Sequence, residues 1–299
     1  MRVDPYYVTT LVGSLNQTTG AEQQLSSELS SGVRVTSLST DPVAAGRNSV
    51  LTTEINAQDT FVQTAASEQS LLQVTDSALG STVTQLTSAI TLAVQGNNGT
   101  LNAQDRQGIA QLLSGIRDEV LSLANTSYLG KYVFAGSQGG VKPFALNGST
   151  SPATTVYSGD SQTQSIQSPS GQTIQLNVAG NQIFSAAGGD ALGALSNLIA
   201  DFSTGAPGAT SAADAAMLKA AVSNVSQQRI TIDSSLNRLQ SASTFAQAEQ
   251  TQLSVAQNAL VGVDMASVAT QLSMSETQHQ ALLNVISTLE KGSLFDYTH

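Results

Sequence analysis

The feature that most constrains this chain is a heptad stripe within residues 40–94. Apolar side chains recur there at alternating steps of four and three residues, and ten of thirteen positions on this face are apolar. The thirteen positions are Leu51, Ile55, Gln58, Val62, Ala65, Gln69, Leu72, Asp76, Leu79, Val83, Leu86, Ile90 and Ala93. An isolated helix gains little stability from its own hydrogen bonds in water. The stripe therefore predicts one long helix covered by partner helices, from this chain or from copies of it.

Thinner stripes of the same kind occupy both ends of the chain. The N-terminal stripe comprises Val8, Leu11, Leu15, Leu25 and Leu29, and the C-terminal stripe comprises Met265, Val268, Leu272, Leu282, Ile286 and Leu289. Both stripes carry too few apolar residues to stabilise a helix alone. We expect them to pack against equivalents in neighbouring copies, which would supply the missing apolar burial. These eleven residues are the predicted subunit-assembly residues.

Turn signals separate the predicted helices. Gly32 is placed to end the first helix, and Thr40 or Asp41 is placed to cap the long one. The long helix should end at residues 95–99, which are rich in Gly and Asn, and Asn102 should cap the next helix. The stripe of that helix consists of Ile109, Leu112, Ile116, Val120 and Leu123. The short connection predicts an antiparallel helical hairpin.

From residue 132 the hydrophobic period changes from that of a helix to that of a strand. Short runs of period two predict strands at residues 132–134, 154–157, 164–166, 173–178 and 182–184. The Gly-rich segment at residues 136–140 lacks the Lys of a phosphate-binding loop, so we interpret it as a flexible domain junction. Residues 190–203 predict one short helix, and a long helical stretch from residue 211 returns to the C-terminus.

Composition disfavours several classes of function. The net charge is −10 with only eleven basic residues, which argues against nucleic-acid binding, because that requires clustered Lys and Arg. No segment approaches the roughly 20 apolar residues that span a bilayer, so no membrane partner is predicted. The N-terminus has no apolar run typical of a secretory signal peptide. If the protein leaves the cell, we expect another exporter.

No residue pattern indicates an enzyme. The two histidines, His279 and His299, lack the spacing of a metal site, and there is no Cys. We predict no catalytic, cofactor-binding or metal-binding residues, and no cofactor. His279 should lie at the surface or in an interface. Asp76 interrupts the long stripe, and we expect it at the stripe edge or paired with Arg106 or Arg117 from the hairpin partner.

Three stretches together resemble the flagellin family of bacterial flagella. Residues 25–35, with Leu-Ser-Ser-Gly at 29–32, resemble the N-terminal signature of that family. Residues 75–79, Thr-Asp-Ser-Ala-Leu, resemble the helix that follows the signature. Residues 264–289 resemble the matching C-terminal helix. The three stretches come from both ends of the chain and are specific in combination.

Further motifs resemble the branch of this family that joins the flagellar hook to the filament. The first three residues and residues 41–45, Asp-Pro-Val-Ala-Ala, are similar to its N-terminal motifs. Residues 132–136, Tyr-Val-Phe-Ala-Gly, followed by Pro-Phe at 143–144, resemble its entry into an outer domain. Residues 156–160, Val-Tyr-Ser-Gly-Asp, are similar to a motif within that domain.

The resemblance implies a mainly α, elongated coiled-coil or helical bundle built from both termini, with a small β-rich outer insert. The expected domains are residues 1–40 with 262–299, residues 41–131 with 211–261, and residues 132–210. The resemblance further implies that the protein is exported unfolded through a type III apparatus and lies outside the cell at the hook–filament junction. It also implies a role in cell motility. The implied partners are copies of the chain itself, a hook-side junction protein, flagellin and an export chaperone.

Other functions stay open at this point. The nearest alternative is flagellin, the filament subunit itself, although the motifs of the junction branch weigh against it. A cytoplasmic coiled coil of the chemoreceptor type would need a membrane span, which we do not find in the sequence. A phage-type or adhesin-type surface protein is a further alternative, and an enzyme is the least favoured one.

Overall fold

The computed structural model describes residues 5–35, 39, 41–205 and 210–295. The mainly α fold with a small β-rich insert is confirmed. The helices of the described part are α1 (Pro5–Ser31), α2 (Pro42–Gly96), α3 (Ala103–Ala124), α4 (Ala191–Ser203), α5 (Ser211–Val261) and α6 (Met265–Phe295). None of these helices is long and apolar enough in its described residues to cross a membrane.

The chain divides into two compact units. The first consists of Met1–Ala57 and Glu249–His299, and the second consists of Gln58–Ala248. Helices α2 and α5 each contribute residues to both units. The division into three domains stays a prediction.

The core of the second unit is built on the heptads of α2 and α5. Over five consecutive heptads of each helix, the residue that recurs every seven positions is buried to 1% exposure or less. These residues are Ala65, Leu72, Leu79, Leu86 and Ala93 in α2, and Leu218, Val225, Ile232, Leu239 and Ala246 in α5. Asp76 contacts Arg229 and Asn97 contacts Ser211, so the two helices run antiparallel. All thirteen positions of the predicted α2 stripe are buried or half-buried.

Asp76 lies at the edge of the α2 stripe and is paired, but with a residue that we did not predict. Its carboxylate accepts hydrogen bonds from Arg229 Nε at 2.7 Å and Nη2 at 3.1 Å. The Asp76 side chain is 25% exposed. The hydrogen bond with Asp76 raises the pKa of the Arg229 guanidinium. The predicted alternatives, Arg106 and Arg117, are wrong, because α5 rather than α3 supplies the partner of Asp76.

Arg106 instead holds the turn between α2 and α3. Its side chain is buried and donates to the backbone carbonyls of Gly96, Asn98 and Gly205 at 2.9–3.3 Å. Asn102 caps α3 as predicted, since its Oδ1 accepts from the Asp105 amide at 2.8 Å. The turn therefore has a buried cation bound to three carbonyl groups, which explains how a Gly- and Asn-rich segment has a defined conformation.

The predicted stripe of α3 is wrong at one position. Leu112 is 59% exposed, whereas its neighbour Leu113 is fully buried. Ile109, Ala110 and Val120 are buried as well. Leu112 and Leu113 each fit the helical spacing of the other apolar residues to within one position. Spacing alone therefore did not show which of the two is buried. The rest of the second unit packs against the face of α3 that contains Leu113.

The β-rich insert consists of four two-stranded antiparallel sheets. The strands are β1 (Ser127–Tyr128), β2 (Lys131–Tyr132), β3 (Phe144–Asn147), β4 (Thr154–Tyr157), β5 (Ser165–Gln167), β6 (Thr173–Gln175), β7 (Ser185–Ala186) and β8 (Gly189–Asp190). The predicted strand at residues 154–157 is confirmed in full, and those near 165 and 173 are confirmed in part. The strand predicted at residues 182–184 is wrong, because the chain forms a 3₁₀ turn at Gly180–Gln182.

A cluster of aromatic rings forms the core of this insert. Phe184 packs edge to face on Phe134 and Phe144, with ring centroids 5.2 and 5.4 Å apart. Tyr157 lies against Phe144 at 4.9 Å. Four of the thirteen Phe and Tyr residues of the chain therefore lie in one cluster, where they stabilise sheets too small to be stable alone.

The two motifs at residues 132–136 and 156–160 meet at the base of the insert. Ser137 donates its amide to Asp160 Oδ1 at 2.8 Å and its hydroxyl to Oδ2. These bonds hold the pKa of Asp160 below its usual range. Gly136 has φ +70°, and a Cβ atom there would lie 2.4 Å from the Asp160 carbonyl oxygen. The Asp160 carboxylate thus binds residues 136–140, the segment that we interpreted as a flexible junction, at Ser137.

The neighbouring leucines of α3 provide a test of the core. We expect Leu113→Ala to lower the free energy of unfolding by about 2–5 kcal/mol, because it removes a fully buried side chain and leaves a cavity. Leu112→Ala is the matched control and should change it by less than about 0.5 kcal/mol. Urea unfolding followed by circular dichroism measures both. Equal losses in the two variants would contradict the assignment of the buried face.

Candidate subunit-assembly surface

The two terminal helices pair within the first unit. The His279 ring on α6 contacts the Glu22 carboxylate on α1, with Nδ1 2.9 Å from Oε2. Near the C-terminal end of α1, the Val263 amide donates to the Gly32 carbonyl at 3.1 Å. Because the end of α1 lies beside the start of α6, the helices run antiparallel. One chain therefore brings both predicted terminal stripes together.

The predicted assembly residues lie mostly between these two helices. Seven are half-buried: Leu11, Leu15, Leu25, Leu29, Leu272, Leu282 and Ile286. Val268 is 5% exposed and Met265 is 48% exposed. The side chains of Val8 and Leu289 lie outside the described residues. The α1–α6 pair thus covers each stripe only in part, and a role in assembly stays a prediction for all eleven residues.

Sequence reasoning missed a second set of apolar residues on the same helices. They are exposed by 41–60% and lie out of phase with the stripes. These residues are Tyr7 and Val12 on α1, and Met274, Leu283 and Val285 on α6. A search for single-face periodicity passes over them, since four of the five stand directly beside a residue already assigned to a stripe. Large apolar side chains exposed on both helices indicate that the pair has an uncovered outer face.

A groove of about 580 Å³ lies along the α1–α6 pair. Its apolar lining comes from Ala21 on α1 and from Ala281, Leu282 and Val285 on α6. A second groove of about 640 Å³ is lined by serines of α1 with Glu22 and Glu276. One groove is therefore suited to an apolar side chain, while the other is polar and acidic.

The Glu22–His279 contact places His279 in the interface between α1 and α6, in line with its expected surface or interface position. The side chains are 18% and 27% exposed respectively. Glu22 Oε1 is buried and has no hydrogen-bond partner among the described residues. No group of three or more His, Cys, Asp or Glu side chains within the described residues could hold a metal ion. His299 lies outside that part of the chain.

The connections α1–α2 and α5–α6 are joined by a backbone clamp, which we define as residues 32–35 with 260–263. The Arg34 amide donates to the Val261 carbonyl at 2.8 Å, and the Val263 amide donates to the Gly32 carbonyl. Val33 and Gly262 form an antiparallel bridge. A small apolar cluster of Val35, Ala44 and Val261 lies beside it. The clamp sets the positions of both helix ends, and sequence periodicity did not indicate it.

Caps and glycines shape the chain on both sides of the clamp. Asp41 Oδ1 accepts from the amides of Val43 and Ala44, which confirms one of the two predicted caps of α2, while Thr40 lies outside the described residues. Asp264 Oδ1 caps α6 in the same way. Gly32 ends α1 with φ +69°, a left-handed conformation that favours glycine. Each helix break is therefore built from a glycine followed by an aspartate cap.

Comparison with known proteins identifies the family. Residues 8–139 match the bacterial flagellin N-terminal helical region, and residues 215–297 match the bacterial flagellin C-terminal helical region. The chain belongs to the bacterial flagellin family. The two matched regions contain the clamp, all of α6 and α1 from residue 8 onward.

The relatives that match this chain include hook-associated proteins. Flagellar hook-associated protein 3 of Escherichia coli is 27% identical over 90% of this chain and 90% of that protein. Its counterpart from Salmonella typhimurium is 35% identical over 54% of this chain and about half, 49%, of that protein. A solved Vibrio parahaemolyticus structure, described as a flagellar hook-associated protein, has a TM-score of 0.65 at 24% identity. It covers 74% of this chain and 99% of that chain, and it shows the same fold.

Two glycines of the first unit test the clamp. A Cβ atom at Gly262 would lie 2.4 Å from the Asn258 carbonyl oxygen, whereas at Gly20 in α1 it would meet nothing within 4 Å. We expect Gly262→Ala to break the clamp and to speed hydrogen exchange at the Arg34 and Val263 amides. Gly20→Ala should instead stabilise α1 by about 0.5–1 kcal/mol. Unchanged exchange in Gly262→Ala would show that the clamp does not depend on this close approach.

Proposed function

We propose that this chain is a structural subunit of the bacterial flagellum that joins the hook to the filament by polymerisation of its terminal helices. The single observation that carries the proposal is the match to a hook-associated protein 3 over 90% of both chains. A match of this extent includes at least part of the insert as well as the helices that the flagellin family shares. The function is mechanical and involves no chemistry.

The terminal helices supply the physical basis of the proposed polymerisation. Seven of the nine described stripe residues are only half-buried, and further apolar residues such as Met274 and Leu283 lie exposed beside them. Burial of apolar surface contributes roughly 25 cal/mol per Å². Contacts between copies would cover these faces and stabilise helices that one chain stabilises only in part.

The same proposal assigns the partners and the place of the protein. The subunit binds copies of itself, a hook-side junction protein on one side and flagellin on the other, and an export chaperone holds it before secretion. It leaves the cell through the flagellar type III apparatus and functions outside the cell at the hook–filament junction. The second candidate is flagellin itself, favoured by the flagellin descriptions of both matched regions.

Immunogold electron microscopy on intact flagella separates these candidates. An antibody against residues 141–210 recognises the insert without competing for the terminal helices. We expect gold in one cluster at the distal end of the hook. Label along the whole filament would instead identify a filament subunit, and flagella without label would contradict both candidates.

A charge introduced into the terminal stripe tests the mechanism. The double variant Leu282→Asp with Ile286→Asp should abolish incorporation into flagella, because two half-buried apolar side chains of α6 become charged. The second unit contains neither residue and should stay folded by circular dichroism. Flagellar fractions probed with the insert antibody measure incorporation.

The matched control adds the same charge elsewhere. Gln111→Asp with Ser122→Asp places two carboxylates at exposed positions of α3 and should leave incorporation unchanged. If the terminal double variant were incorporated at the level of this control, polymerisation through the terminal helices would be wrong.

A further inference from the structure

Two buried oxygen atoms without hydrogen-bond partners occur in α4 and at the start of α5. Asp214 is 4% exposed, and its Oδ1 accepts from Asn197 Nδ2 at 3.0 Å. Asp214 Oδ2 has no partner among the described residues, and neither does Oγ of Ser196, which is 2% exposed. A buried polar atom left unpaired costs about 1–3 kcal/mol. Such atoms in a native structure call for a specific explanation, commonly a bound water or ion.

A second carboxylate lies close to Asp214. Asp201 follows Asn197 by one turn, near the C-terminal end of α4, where free carbonyl groups add partial negative charge. Thr210 lies between the two acids, since its Oγ1 donates to Asp201 Oδ2 at 3.3 Å and its side chain also interacts with the Asp214 carboxyl group. Burial raises the pKa of Asp214, and the charge of Asp201 raises it further. Two carboxylates and a hydroxyl thus converge at one point.

No basic side chain neutralises this pair within the described residues. The Arg106 side chain donates to the carbonyl of Gly205, which follows α4. Its other hydrogen bonds go to the carbonyls of Gly96 and Asn98. Neither Asp201 nor Asp214 forms an ion pair with a Lys or Arg of the described part. A buried carboxylate beside a second carboxylate is unfavourable unless a cation or a proton lies between them.

We propose that Asp201, Thr210 and Asp214 bind a calcium ion between α4 and α5. The ligands are Asp214 Oδ2, the Asp201 carboxylate and Thr210 Oγ1, with water in the remaining positions. Hard divalent cations bind oxygen ligands of this kind. Ca²⁺ tolerates irregular oxygen geometry, whereas Mg²⁺ demands near-octahedral geometry. The ion would join α4, the only described α-helix of the insert, to the start of α5.

Calcium titration of the full chain tests the site. Isothermal titration calorimetry with CaCl₂ on chelator-treated protein should give one site per chain. Thermal unfolding should shift upward by roughly 5–10 °C at a hundredfold excess of Ca²⁺ over Kd. Mg²⁺ at the same concentration should give a smaller shift.

Three conservative variants decide where the ion binds. Asp214→Asn and Asp201→Asn should each abolish the heat and the thermal shift, since each removes one anionic ligand without changing the size of the side chain. Asp233→Asn is the matched control, because it removes an exposed carboxylate from α5, and it should bind as the parent protein does. If Asp214→Asn failed to fold, Asp201→Asn, at a half-buried position, would give the answer alone.

Two results would overturn the calcium site. One is the absence of saturable heat and of any thermal shift in the parent protein, which would mean that a proton rather than a metal ion relieves the carboxylate pair. The other is undiminished binding in the two Asp→Asn variants, which would place the ion elsewhere on the acidic surface.

Discussion

The structure of the second unit depends on the burial of two heptad faces, one from α2 and one from α5. Every seventh residue of each face is excluded from water over five consecutive heptads, so the two helices hold each other in one register. The Asp76–Arg229 ion pair lies at the edge of this contact and favours that register over its neighbours. The other helices of the unit join the same hydrophobic core: α3 packs against α4, and Asn197 of α4 bonds to Asp214 at the start of α5.

The insert shows how a chain with little aromatic content builds a second kind of core. Its sheets are two-stranded and cannot be stable alone. Three phenylalanines and Tyr157 pack into one cluster, and the Asp160–Ser137 contact fastens the base of the insert. The motifs at residues 132–136 and 156–160 are therefore two halves of one structural element. Gly136, Gly159 and Gly180 occur where a backbone or a side chain comes too close for a Cβ atom.

The first unit follows a different design. Its terminal helices are paired but incompletely covered, and a backbone clamp of few hydrogen bonds sets where both of them begin or end. If neighbouring copies are to cover the terminal helices, each helix must leave apolar surface uncovered in the single chain. Many Ser and Thr side chains of these two helices are hydrogen-bonded to their own helix.

The sequence by itself determined the helices, their approximate ends and the family. These depend on local patterns, namely heptad spacing, caps such as Asn102 and turn residues such as Gly32, which act over a few residues of chain. Only the tertiary structure decided which of Leu112 and Leu113 faces the core, because both fit one helical period and the choice depends on what packs there. It also decided the partner of Asp76, the buried role of Arg106 and the clamp at Gly262. Each of these contacts joins residues far apart in the chain. A local hydrophobic period does not indicate which distant segment supplies the matching charge, carbonyl group or strand.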